Sequence, residues 1–333
     1  MRGKLGKLMK FEFYLVIVFL LGFGNSSSAE YPERAIEILM PYGITSPSAA
    51  IVRVIADRMS TDLQKPVVIV PAVGAGGTLA GEKIAKRTKP DGHTLIQVNS
   101  ATNGMAFFTK KDLNYTLDDF TYLALTHSAF VGLVAAPKAP FKSMEEFITF
   151  VKNNPHQVKI ASTGVGTGGH FFLEYLKIKC GGLIFDLTPF KTPPEVTKAV
   201  VSNLTAAAVI YGGSGGTNDE LTRAAEGGAK ILVVTSKNRL RGFPEVPTLT
   251  EKGIDLIWSG WWGIGGPKGL PDNIQSVLKN SLYKAIQDPQ VAKVAESGGF
   301  WPDFMKQEEF VPFVKEYYKK IEMIAREANI PKQ

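Results

Sequence analysis

A chain of 333 residues with 44% hydrophobic and 21% charged positions, 33 Gly, 20 Pro and one Cys has the composition of a globular protein. It excludes a low-complexity chain, a collagen, a disulfide-stapled miniprotein and a polytopic membrane protein, and its length suits two domains. The formal charge of +7 includes +3 from Arg2, Lys4, Lys7 and Lys10 against Glu12, which leaves only +4 for the remaining 304 residues. With so mild a charge, and no dense Lys/Arg block interleaved with aromatics, nucleic acid is not an expected partner.

Met1–Lys10 is basic, Phe11–Phe23 is a 13-residue stretch without charge after Glu12, and Ser27-Ser28-Ala29 offers small residues at a cut site. This layout predicts a secretory signal peptide over residues 1–29, cleaved near Ala29, and hence an exported chain. The competing reading is a membrane anchor, but the apolar run is short of the ~20 residues that span a bilayer. Cys180 has no partner cysteine, so no intramolecular disulfide can form and stability must come from packing.

Beyond the signal, strands and helices alternate. Ile36–Met40 reads as a buried strand, and Pro41–Pro47 as a loop. A helix follows from about Ser48, with Ile51, Ile55, Met59 and Leu63 on one face. Then come strand Val67–Val70, the loop Gly74-Ala75-Gly76-Gly77, a helix to about Arg87, an Asp91-Gly92 turn and strand Thr94–Val98. Ser143-Met144-Glu145-Glu146 opens helix Ser143–Lys152 as a capping box. Strand Val158–Ala161, a glycine loop, helix His170–Lys179, strand Leu183–Leu187, helix Pro194–Ser202 and strand Thr205–Tyr211 repeat the alternation. Helix Asn218–Ala225 and strand Lys230–Thr235 follow, and the last third is helical over Asp272–Ile286, Gln290–Ser297 and Glu308–Ala328. Strands joined by single helices predict crossover connections and an α/β fold with mostly parallel sheets.

Gly132-Leu133-Val134-Ala135-Ala136-Pro137-Lys138 and Gly263-Ile264-Gly265-Gly266-Pro267-Lys268 look alike, and each is followed by a proline and a helix. Either the chain passes twice between two lobes, or Gly/Pro-rich turns coincide.

Three glycine loops carry the chemical signal. Gly164-Val165-Gly166-Thr167-Gly168-Gly169 fits the dinucleotide pattern G-x-G-x-x-G, with Asp186 expected to end the next strand. Nicotinamide cofactors are scarce outside the cytoplasm, and the same glycines suit a simpler task. They let a small anion approach the first turn of a helix, whose free N–H groups and positive dipole end favour a carboxylate. Gly212-Gly213-Ser214-Gly215-Gly216 fits the nucleophile elbow of an exported hydrolase, but that order needs a histidine downstream of Ser214 and the last one is His170. His93, His127, His156 and His170 show no metal-ligand spacing, so neither a metal nor a cofactor is expected. Phe107-Phe108 and Trp261-Trp262 read as core or hinge packing.

Several motifs, in order over Tyr31 to Ile330, resemble the substrate-binding proteins of tripartite tricarboxylate transporters, the Bug family. They are Tyr31-Pro32-Glu33-Arg34-Ala35-Ile36, Met40-Pro41-Tyr42, Arg53, Gly74-Ala75-Gly76-Gly77 and Pro90-Asp91-Gly92-His93-Thr94-Leu95 (the family's P-D-G-Y-T-L). Ser162-Thr163-Gly164-Val165-Gly166-Thr167-Gly168-Gly169-His170 is similar to S-A-G-V-G-S-S-G-H, and Pro189-Phe190-Lys191 to P-Y-K. Val246-Pro247-Thr248 and Trp261-Trp262-Gly263 match the late V-P-T and W-F-G.

The resemblance implies a two-lobed type II periplasmic binding fold, a Venus flytrap. It further implies a monomeric, non-enzymatic receptor that closes on a small organic carboxylate and delivers it to the transporter's membrane subunits. A ligand-sensing receptor for a two-component kinase is the alternative. The implied lobes are residues 30–126 and 127–257, with a return crossing and C-terminal helices over 258–333 and hinges near residues 125–131 and 256–262. In such proteins a loop from each lobe clasps a ligand carboxylate through main-chain amides and water. Carried over, the first lobe supplies Tyr42, Ile44, Thr45, Ser46, Ser48, Gly76, Gly77, Thr78, Ser100, Ala101 and Thr102. The second supplies Thr163, Gly164, Val165, Gly166, Thr167, Gly168, His170, Phe190 and Val209.

Three departures bear on the ligand. The family's P-F-P-P-G-G-S-T-D reads here as Pro41-Tyr42-Gly43-Ile44-Thr45-Ser46-Pro47-Ser48-Ala49, and in its V-D-V-M-F-D strand Thr205 and Val209 replace both acids. Losing these carboxylates removes counter-charges for an ammonium. Ala206, Ala207, Ala208, Val209 and Tyr211 leave an apolar wall, so the expected ligand is a carboxylate without an amino group, with an apolar or aromatic body.

Overall fold

The computed structural model describes residues 31–212, 216 and 219–332. The signal peptide expected over residues 1–29 and Ser214 of the elbow lie outside them.

Strand β1 (Ile36–Met40) lies between two parallel neighbours, β2 (Val67–Pro71) and β3 (Thr94–Asn99). Helices α1 (Pro47–Leu63) and α2 (Thr78–Arg87) provide the crossovers. Helix α1 buries Ile51, Val52, Ile55 and Met59, the stripe expected from the 3.6-residue period. A second parallel wing runs β7 (Ala207–Gly212), β5 (Lys159–Ser162), β6 (Asp186–Pro189), with crossover helices α5 (Gly168–Lys179) and α6 (Pro193–Val201).

Two strands outside the parallel wings join them. Strand β4 (Phe120–Ala135) spans 16 residues. Its first part pairs antiparallel with β9 (Ser259–Pro267) and with the short β10 (Met305–Lys306). Its last part pairs antiparallel with β7 and β8 (Lys230–Val234). The main order is β2-β1-β3-β9-β4-β7-β5-β6, a single mixed sheet. Parallel pairing therefore holds within each wing, and the centre is antiparallel because the crossing strand β4 and the returning strand β9 lie side by side in opposite directions. The two look-alike glycine segments fall on the ends of these two strands. Register shifts in β4 between Tyr122 and Ala124 and between Leu125 and His127 loosen the pairing just before the second wing begins.

Helix α10 (Gln307–Glu327) packs on β4 and α5 and buries Phe310, Val314, Tyr317, Ile321 and Ile324 on one face. Trp261, fully buried in β9, meets Phe310 and Tyr317 edge-on at 5.6 and 5.7 Å, so Trp261-Trp262 is packing, as read from the sequence. Helices α8 (Asp272–Ile286) and α9 (Pro289–Ser297) both lie against α1.

Candidate functional site

The candidate loops leave the carboxyl ends of parallel strands, where open α/β sheets place their ligands: after β1, β2 and β3 in one wing and after β5 and β6 in the other.

In the loop after β1, Ser46 caps α1, its hydroxyl accepting from the Ala49 amide at 3.2 Å, and Pro47 occupies the first turn. Tyr42, Ile44 and Thr45 are exposed. Ser48 is turned inward. Its hydroxyl stands 2.8 Å from Nε2 of His127, which is fully buried, and accepts from Gln97 Nε2 at 2.7 Å.

The loop after β2 is held in the left-handed region at Ala75, Gly76 and Gly77, with φ of 48, 68 and 92°. Gly77 needs to be glycine for a second reason. A Cβ there would lie 2.8 Å from Thr102 Cγ2 and 3.0 Å from the Tyr42 ring, so the first three loops meet at its α-carbon. Tyr42 donates its hydroxyl to the Gly76 carbonyl at 3.2 Å. Gly77 is the cap of α2, and Thr78 donates its hydroxyl back to the Ala75 carbonyl, so no side chain covers the first-turn amides of this helix.

The loop after β3 uses its own side chains to hold its backbone. Asn99 Oδ1 accepts from the amides of both Ala101 and Thr102 at 3.0 Å, Ser100 donates its amide to the Trp261 carbonyl, and the Thr102 hydroxyl bonds Asn103. Ser100 and Thr102 are buried, and these polar groups point into the fold. The segment continues through Ala101–Met105 into the short helix α3 (Ala106–Thr109).

Across the sheet, the loop after β5 is tied by Thr167, which donates to the Gly164 carbonyl at 2.7 Å and receives the Thr163 hydroxyl at 3.3 Å. Thr167 is the cap residue of α5, but with its side chain turned to Gly164 it leaves the amides of the first turn uncovered. His170 Nδ1 accepts from the Gly166 amide at 3.2 Å, so its proton sits on Nε2, 3.8 Å from Glu174. Burial lowers the His170 pKa against the pull of Glu174, and the ring serves as a neutral brace for the loop. Val165 is exposed, Phe190 is half-buried and donates its amide to the Ser162 carbonyl, and Val209 lies buried beneath Gly169.

Thr109, Met105 and Tyr211 join the two halves of the site. A Cβ on Gly166 would lie 3.4 Å from Thr109 Cγ2, and one on Gly168 would lie 3.6 Å from Met105 Cε and would strike the Tyr211 hydroxyl. The Ala101–Thr109 segment thus touches the first glycine loop at Thr102 and the second at Met105 and Thr109. Tyr211 accepts from Trp258 Nε1 at 3.2 Å, and burial pushes its phenol up to about 12, so it keeps its proton beside the first turn of α5. The sequence offered Tyr211 only as part of an apolar wall and did not point to Met105 or Thr109, because nothing in their spacing reveals a contact made through the sheet. Ser162 adds a buried hydroxyl without a partner against that same turn.

No Asp or Glu occurs in 41–48, 72–79, 100–109 or 162–170. The arrangement offers amides, hydroxyls and apolar surface, which suits an anion and gives a cation no counter-charge. Two surface cavities of about 370 and 390 Å3 share Leu117 and Asp118; of the site segments they take in only Phe107.

Asp186 corrects the dinucleotide pattern. It opens β6 rather than ending a strand, and its carboxylate meets His156 Nδ1 at 3.0 Å, at the opposite end of the strands from the glycine loop. Asp186 is therefore not placed to receive a ribose. Among the described residues no group of three His, Cys, Asp or Glu side chains could hold a metal, and no helix is long and apolar enough to cross a membrane.

The model of the tripartite tricarboxylate transporter family receptor matches residues 51–330. A UPF0065 protein in the gbd 5′ region of Cupriavidus necator is 28% identical over 314 residues, covering 92% of this chain and 91% of that protein. A TctC solute-binding protein from Polaromonas superposes with a TM-score of 0.78 at 21% identity over 89% of this chain and 99% of its own. MatC from Rhodopseudomonas palustris, solved with bound malate, gives 0.68 at 25% identity over 88% and 99%. With a periplasmic-binding-protein fold and a family match over most of its length, the chain belongs to the tripartite tricarboxylate transporter receptors, which bind solutes and are not enzymes.

Proposed function

We propose that this receptor is exported to the periplasm after cleavage near Ala29, captures a small organic carboxylate that lacks an ammonium group, and delivers it as a monomer to the membrane subunits of its transporter. The observation that carries the reading is the pair of helix N-termini at Thr78 and Gly168. Each follows a glycine loop, each lacks a side-chain cap, and both loops contact the Ala101–Thr109 segment. Each such helix end contributes ~0.3–2 kcal/mol toward a bound negative charge. Water excluded by closure strengthens every amide–carboxylate hydrogen bond.

In this reading residues 30–126 form the first lobe, 127–257 the second, and 258–333 return to the first. The hinge lies in the adjacent strands β4 and β9, near 125–131 and 256–262. The roles of Ser48, Ser100, Ala101 and Thr102 shift from ligand contact to support of the loops that make it. MatC's malate is consistent with a carboxylate of this size.

Calorimetry of the mature protein against mono-, di- and tricarboxylates and the matching amino acids tests the proposal. Binding of a plain carboxylate, without turnover, is expected. Tighter binding of an amino acid would contradict it.

A further inference from the structure

We infer that the ligand carries an apolar body, which lies against a rim formed by Tyr42, Ile44, Val73, Leu79 and Val165. This rests on the carboxylate reading above and narrows it to an amphipathic acid.

Nine large hydrophobic side chains are exposed among the described residues, and five of them stand on the candidate ligand loops. Val73 leaves 61% of its surface bare and Leu79 47%; the four exposed aliphatic side chains elsewhere, Val68, Ile184, Leu204 and Ile257, are spread over separate segments. Scattered exposed hydrophobics need no explanation, but a concentration on one functional surface does. Four of the five are contiguous around the first glycine loop. The Cβ direction of Gly43 points to Val73 at 3.7 Å, that of Gly74 meets Leu79 at 2.9 Å, and that of Gly77 meets the Tyr42 ring. Ile44 belongs to the same loop as Tyr42, and Val165 sits at the tip of the glycine loop in the other wing.

These positions surround amides, and at Val73 and Leu79, the barest of the four around the first loop, polar side chains would cost the fold little. A fully polar ligand gains little from such a rim. An acid with a hydrocarbon or aromatic body covers it on closure, with its carboxylate on the helix N-terminal amides. The alternative occupant, a face of the membrane subunits, would use the rim only from outside and would leave ligand affinity indifferent to it.

The test is calorimetry of the mature protein with unbranched α,ω-dicarboxylates from malonate to suberate, together with benzoate and phthalate. Affinity should rise about threefold to fourfold for each methylene covered, until the cleft is filled. A Val73→Ser, Leu79→Ser double variant, both changes at exposed positions, should keep the thermal midpoint and flatten this chain-length dependence. Affinity that is level or falls with chain length, or a double variant with the wild-type dependence, overturns the inference while leaving a carboxylate receptor in place. Failure of every acid to bind overturns the carboxylate reading itself and this inference with it.

Discussion

Ser48 and His127 meet through a 2.8 Å hydrogen bond although 79 positions separate them in the chain. The direction of that bond follows from its neighbours. Thr126 donates its one hydroxyl hydrogen to the Trp262 carbonyl at 3.1 Å, so it must accept from His127 Nδ1, 2.9 Å away. His127 Nε2 is then the acceptor for Ser48, whose oxygen in turn receives Gln97. The ring stacks on Trp262 at 5.3 Å and meets Phe300 edge-on at 5.0 Å. One buried chain of hydrogen bonds therefore fastens the start of α1, just after the loop that follows β1, to both β4 and β9.

Acid should loosen this attachment. Burial holds the His127 pKa at about 3 against the ordinary 6.5, so the folded protein keeps the ring neutral where an unfolded chain protonates it. Below pH 6.5 the unfolded state binds the extra proton, and stability falls with falling pH until the folded ring titrates near pH 3. Above pH 6.5 the contribution is constant. Urea denaturation of the wild type should show ~1.4 kcal/mol more loss per pH unit between pH 6 and 4 than His127→Asn. Parallel curves would mean that the ring is not held neutral.

Two neighbouring glycines should respond differently to the same change. Gly76→Ala meets open space and costs only the left-handed backbone, about 1 kcal/mol. Gly77→Ala adds collisions with Thr102 and Tyr42, for a total of about 2–4 kcal/mol. Equal losses in chemical denaturation would contradict the meeting of three loops at Gly77.

Gly168 and Tyr211 should be coupled. Gly168→Ala drives a methyl group into the Tyr211 hydroxyl and should cost about 1–3 kcal/mol. In a Tyr211→Phe background, where that oxygen is gone, the cost should shrink by at least ~0.5 kcal/mol. A double-mutant cycle with no coupling would separate the tyrosine from this helix end.

Ser46→Ala removes the α1 cap and should cost about 1 kcal/mol, read as a lowered urea midpoint at unchanged slope. Ser46→Asp, which keeps an acceptor at the same place, should restore it.

The wings were legible because their elements obey local rules: the spacing of Ile51, Ile55 and Met59, the Ser143 cap, and glycines between strand and helix. The centre was not. Strand β4 is buried on both faces, so it lacks alternation, and Thr126-His127-Ser128 interrupts its apolar run with polar groups whose partners lie far away in sequence. That buried polar triplet is a signal in hindsight, since such groups must find partners inside the fold. The placement of the glycine loops between strand and helix is what suggests anion sites in the sequence. Sequence could not separate Thr78 and Gly168, which keep uncovered helix ends, from Ala101 and Thr102, whose amides Asn99 takes.

The most direct test follows backbone amide resonances of the mature, isotope-labelled protein during titration with the tightest-binding acid of the dicarboxylate series. The account expects the amides of Thr78 and Leu79 in one wing, and of Gly168 and Gly169 in the other, to shift together along a single binding curve. Shifts confined to one wing, or centred on the surface cavities around Leu117 and Asp118, would contradict it.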